Sequence, residues 1–177
     1  MAGLLDLFAK LEQVSGPVAL ATPLHRSRPG LALGRRLLEP GGATGFREAD
    51  LEALLASGTS RMLAGPVPET GTEYLLERLV PGKLPPWLHC SCQVLRRGGA
   101  CVLATVGSVA GDLPYGIGDH FVYDERNHGL LPMDAGFSLE LQRACQRARE
   151  AGGPVWVDFP FPAGTLGLCL EPLAAQP

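Results

Sequence analysis

The four histidines and five cysteines are the residues best able to ligate a metal or act as nucleophiles, and their spacing decides what they can do. His25, His89, His120 and His128 fall in separate segments and form neither His-Glu-x-x-His nor any other paired metal spacing. His89-Cys90-Ser91-Cys92 offers soft ligands, but structural zinc needs four and no second Cys/His pair of suitable spacing follows. On a helix over 86–97, Cys90 and Cys92 point to different sides, so a structural role ranks ahead of a metal site, with weak redox chemistry as the alternative. Cys101, Cys145 and Cys169 bring the total to an odd number in a chain long enough to build its own core. Reduced thiols are therefore expected rather than a disulfide framework.

Ser108 lies in Gly107-Ser108-Val109-Ala110-Gly111, which departs from the Gly-x-Ser-x-Gly elbow because serine directly follows the first glycine. Neither Gly-x-Gly-x-x-Gly nor Gly-x-x-x-x-Gly-Lys-Ser/Thr occurs, so NAD and ATP are not expected as cofactors. The loop over 132–140, Pro-Met-Asp-Ala-Gly-Phe-Ser-Leu-Glu, runs small residues straight into a helix. Free backbone N–H groups at such a start bind phosphate, carboxylate or an oxo-anion, with the Ser138 hydroxyl as a further donor. The plainer reading makes Ser138 the helix N-cap and Glu140 a first-turn acid that favours the dipole. Glu140 with His120 or Ser138 as an acid–base pair ranks last, because no triad order or carboxylate pair accompanies it.

The elements that carry these residues repeat. Gly16-Pro17-Val18-Ala19-Leu20-Ala21-Thr22 recurs as Gly99-Ala100-Cys101-Val102-Leu103-Ala104-Thr105, an offset of 83 residues. A helix-like segment comes before each copy: 4–14 with Leu4, Leu5, Phe8 and Leu11, and 86–97 with Trp87, Ser91, Val94 and Leu95 before a stop at Gly98. After each comes a Gly/Pro turn, Arg28-Pro29-Gly30 or Gly111-Asp112-Leu113-Pro114, and then a short strand over 35–38 or 121–123. A small-residue loop ending in Gly-Phe, at Gly42 to Phe46 and Asp134 to Phe137, then opens a helix. That helix faces the core with Leu51, Leu54 and Leu55 in the first copy and with Leu141, Ala144, Cys145 and Ala148 in the second. Both copies close on a strand, over 72–79 and 165–173, with the related endings Leu-Leu-Glu-Arg-Leu and Cys-Leu-Glu-Pro-Leu.

These features predict an α/β protein of two tandem pseudo-repeated units, 1–82 and 83–177, packed together, with helices flanking a mixed or mainly parallel sheet. Composition narrows the partners. The 177 residues carry 18 acids and 15 bases, with no basic run longer than Arg35-Arg36 or Arg96-Arg97, so nucleic acid is not an expected partner. Asp6 and Lys10 interrupt the opening apolar segment, which argues against a secretory signal. The uncharged stretch from Gly98 to Gly111 is 14 residues, short of the roughly 18 that span a bilayer, so a cytoplasmic protein with no membrane partner is expected. The duplication also makes self-association plausible.

Over nearly the whole chain, and most clearly in the second copy, the sequence resembles the amino-terminal unit of the XdhC/CoxI family, whose members handle molybdenum cofactor and help load it into xanthine dehydrogenase and related hydroxylases. Leu103-Ala104-Thr105-Val106, Gly111-Asp112-Leu113-Pro114-Tyr115-Gly116-Ile117-Gly118, Ala135-Gly136-Phe137-Ser138-Leu139-Glu140 and Glu171-Pro172-Leu173 keep that family's order and spacing. The first copy is similar to a diverged version of the same unit. The resemblance implies a non-enzymatic accessory protein that binds molybdopterin-type cofactor, or assists its delivery to a xanthine-dehydrogenase-like molybdoenzyme. It assigns contacts to Thr105, Gly111, Pro114, Gly118, Gly136, Ser138 and Glu140. The family's cysteine is Ser138 here, two of its glycines are Ala135 and Phe137, and its serine is Asp112. A serine hydroxyl is a hard, protonated group where a thiolate is soft. The family's carboxy-terminal Rossmann domain is expected to be missing, as in a degenerate member, and Phe137 with the lost glycines favours the alternative of a protein–protein interaction or structural module without cofactor.

Overall fold

The computed structural model describes residues 3–24, 35–39, 41, 45–65, 72–126 and 129–175. The turn at Arg28-Pro29-Gly30, His25, His128 and Gly42 to Thr44 lie outside them. The described residues separate into two compact units, one up to Pro85 and one from Pro86.

The first unit runs α1 (Leu4–Leu11), β1 (Val18–Leu24), β2 (Arg36–Leu38), α2 (Glu48–Ser57), β3 (Arg61–Ala64) and β4 (Glu73–Leu79). The second runs α3 (Pro86–Arg96), β5 (Ala100–Gly111), β6 (His120–Tyr123), α4 (Ala135–Ala151), β7 (Val155–Phe161) and β8 (Gly164–Ala174). Their sheets have the same topology, β2-β1-β4-β3 and β6-β5-β8-β7. The register repeats as well: Leu20 stands opposite Leu37 and Glu77, and Leu103 opposite Val122 and Glu171. The duplication read from short motifs is thus a duplication of the fold.

The class is α/β, but every strand pair is antiparallel, where alternating strands and helices had pointed to a mixed or mainly parallel sheet. The reason is the order of connections. In each unit a single helix crosses between the two edge strands, each edge strand is consecutive in the chain with the central strand it pairs, and the central pair joins the first and last strands of the unit. Only Pro162 and Ala163 separate β7 from β8, a link that serves antiparallel strands alone. The edge strands β3 and β7 were not anticipated. β7 did carry a signal, a run rich in valine and aromatic residues closed by Pro-Ala-Gly.

In the second unit the faces of β5 divide by alternation. Val102, Ala104 and Val106 join Phe121, Leu166, Leu168 and Leu170 under α4, which contributes Phe137, Leu141, Ala144, Cys145 and Ala148. Cys101, Leu103 and Thr105 face the opposite side, where α3 packs against β5 and β6. In the first unit Ala19, Ala21, Leu51, Leu54 and Leu76 form the corresponding core beneath α2. Gly98, at φ 70°, ends α3 as its spacing predicts, its N–H donating to the Leu95 carbonyl at 3.0 Å. Among the described residues no helix is long and apolar enough to cross a membrane.

Candidate functional site

Helix α4 begins at Ala135, earlier than the position of Ser138 suggested. Asp134 is its N-cap, and its carboxylate accepts from the Phe137 N–H at 2.6 Å. A carboxylate here satisfies an orphan donor and complements the positive helix end. Ser138 therefore sits one turn into the helix, its hydroxyl accepting from the Gln142 amide at 3.3 Å. Glu140, expected in the first turn, lies beyond it and is exposed.

Phe137 is 3% exposed and fills the space beside this helix start. Its ring lies 5.1 Å from Phe161, 5.3 Å from Phe159, 5.4 Å from Tyr115 and 5.9 Å from Phe121, all in edge-on arrangements. Through Tyr115 the loop over 112–119 is drawn against α4. Burial pushes the Tyr115 hydroxyl above its ordinary range, and the Asp134 and Asp119 carboxylates push it further. An anion approaching this helix start meets one spent N–H and two negative groups.

The remaining candidate residues are dispersed. Gly111 adopts φ +88°, and a Cβ there would run into the Ala163 carbonyl. Its role is the close approach of the β7–β8 turn to the end of β5. Gly118 adopts φ +89° and donates its N–H to the Val106 carbonyl at 2.9 Å, extending the β5–β6 ladder. Pro114 is exposed, and a Cβ on exposed Gly136 would touch only the Asp134 Oδ1, at 3.4 Å. Thr105 is 2% exposed and lies on the α3 side of the sheet. Its Oγ1 is 3.1 Å from His120 Nδ1, and the His120 ring stacks at 4.3 Å on Trp87. The structure thus gathers Gly136, Ser138 and Glu140 at the start of α4 and leaves Thr105 across the sheet. His120 and Glu140, considered as an acid–base pair, stand on opposite sides of it.

Among the described residues no three His, Cys, Asp or Glu side chains converge to hold a metal. All five cysteines are unbridged, Cys90 half-buried and the other four buried. Burial pushes the Cys101 and Cys145 thiols up to about 12.

A cleft of about 360 Å³ opens at the other end of the second unit. The α3 stop at Arg97 and Gly98, the turn after β6 with Asp124, Glu125 and Arg126, and Arg149 near the end of α4 line it. In the sequence Arg97 stands out only as part of the short basic run Arg96-Arg97, and nothing local links it to residues 29 and 52 positions away. No known protein-family model matches the chain, and no curated protein matches it either.

Proposed function

We propose that this chain is a non-enzymatic accessory protein of the XdhC/CoxI type whose second unit engages a protein partner with the end formed by the 112–119 loop and the start of α4. The partner class is a molybdoenzyme of the xanthine dehydrogenase kind, and the chain acts on it without holding molybdopterin at this end. The observation that carries the reading is the filled helix start, with Asp134 capping it and Phe137 buried among four other rings. Beside it Met133 is 103% exposed, and Leu139 and Ile117 are 49% and 43% exposed. Apolar side chains left in water around a rigid aromatic centre suit a protein surface better than a charged pterin phosphate.

The test is gel filtration of the chain with a cofactor-free molybdoenzyme of that class. Co-elution with the wild type, lost in a folded Met133→Asp/Leu139→Asp variant, is the expected result. Co-elution unaffected by the double variant, or none with the wild type, contradicts the reading. Cofactor binding at the same end is the second reading, and it draws on one observation: Gly136 remains exposed, with room for a ligand against its backbone.

A further inference from the structure

The cleft at the far end of the second unit differs in chemistry from the α4 start. Three arginines line it, Arg97, Arg126 and Arg149, in a chain whose net charge is −3. Arg149 is held by Glu125, Nη1 to Oε2 at 2.8 Å. Among the described residues neither Arg97 nor Arg126 has a hydrogen-bonded or ion-paired side-chain partner. Asp124, only 5% exposed, accepts the Arg126 backbone N–H at 3.1 Å and so fixes the turn that carries Arg126. Gly98 forms a bare wall, since a Cβ there would meet nothing within 4 Å.

The duplication shows that the fold does not demand these cations. Matching Gly99 to Gly16, Tyr123 to Leu38 through the strand register, and the helix-ending Gly152 to Gly58 puts Val14, Gly41 and Leu55 at the positions of Arg97, Arg126 and Arg149. The first unit builds the same topology with none of the three. A helix-end position suits Arg97 and Arg149 one at a time, but neither burial nor strand pairing accounts for three arginines around one cleft, whereas planar guanidinium donors match an oxyanion.

We propose that this cleft binds the phosphate group of a small molecule, with Arg97 and Arg126 as direct ligands and Arg149 as a third donor that Glu125 restrains. Two guanidinium charges without side-chain partners among the described residues match the near-dianionic charge of a phosphate monoester at neutral pH. The site is separate from the α4 start, so it stands or falls independently of the function proposed above.

The experiment is calorimetric titration of the full chain, at low ionic strength in a phosphate-free buffer, with inorganic phosphate and with phenyl phosphate. Saturable binding of either probe is expected, and the tighter of the two distinguishes a free anion from an ester as the natural form. Arg97→Gln and Arg126→Gln should each weaken binding about tenfold, the usual scale for a hydrogen bond to a charged group. Glu125→Gln should tighten binding by freeing Arg149, a gain that general damage to the fold does not produce. Arg36→Gln, which lies over Tyr74 in the first unit, should change nothing. The proposal is overturned if neither probe binds saturably, if the Arg97→Gln/Arg126→Gln double variant binds as the wild type does, or if Glu125→Gln weakens binding.

Discussion

Phe137 is the residue on which the account of the α4 start turns. Replacing it with alanine removes a ring packed against four others, and a loss of about 3–5 kcal/mol is expected, read from the urea midpoint. Gly136 gives the opposite expectation. Because it is helical and its Cβ would touch only the Asp134 Oδ1, Gly136→Ala should stabilise the chain by a few tenths to about 1 kcal/mol. The thiols give a pH dependence. Burial pushes the Cys101 and Cys145 thiols from an ordinary 9.0 up to about 12 in the folded chain, so the unfolded chain loses those protons first as pH rises. Their contribution to stability is intact below about pH 9 and declines through the window up to 12, by about 1.4 kcal/mol per pH unit for each thiol. A urea midpoint that falls between pH 9 and pH 11 in the wild type, and falls less in Cys145→Ala, is the expected outcome.

At the scale of elements, the α4 start and the β5 tip show what sequence carries and what it hides. The apolar spacing of Leu141, Ala144, Cys145 and Ala148 fixed the buried face of α4 in advance, because helical periodicity is local. The first residue of that helix was not legible in the same way. Asp134 and Ser138 are both good N-caps by residue type, and the choice between them rests on Phe137 reaching a pocket made by β5–β8 strands distant in sequence. Asp134→Ala should accordingly cost about 1 kcal/mol, while Ser138→Ala should cost distinctly less, in a paired denaturation experiment. Gly111, to which the resemblance assigns a cofactor contact, is held by the β7–β8 turn, a contact no local motif announces. Gly111→Ala should therefore destabilise the fold by more than about 1 kcal/mol, whereas Gly153→Ala, with open space around it, should be close to neutral.

For the whole molecule, the repeat was the most legible property, because strand motifs and their spacing survive where side chains diverge. Leu-Ala-Thr strands at an offset of 83 residues led to two sheets of one topology. Strand direction was not legible, since it depends on which strands become neighbours, and the edge strand β3 carries too little local signal to be placed. The duplication also separates what the fold requires from what one unit alone has acquired, as the three arginines of the second unit and their uncharged counterparts illustrate. The central claim is that the second unit keeps this architecture with its α4 start filled from within. Its most direct test is to mix the purified chain with molybdenum cofactor released from a molybdoenzyme and follow molybdenum and pterin fluorescence through gel filtration, with a cysteine-containing XdhC/CoxI protein in parallel. The account predicts that the cofactor co-elutes with the cysteine-containing protein and not with this chain. Near-stoichiometric co-elution with this chain, lost on Gly136→Trp while the fold is retained, would contradict it.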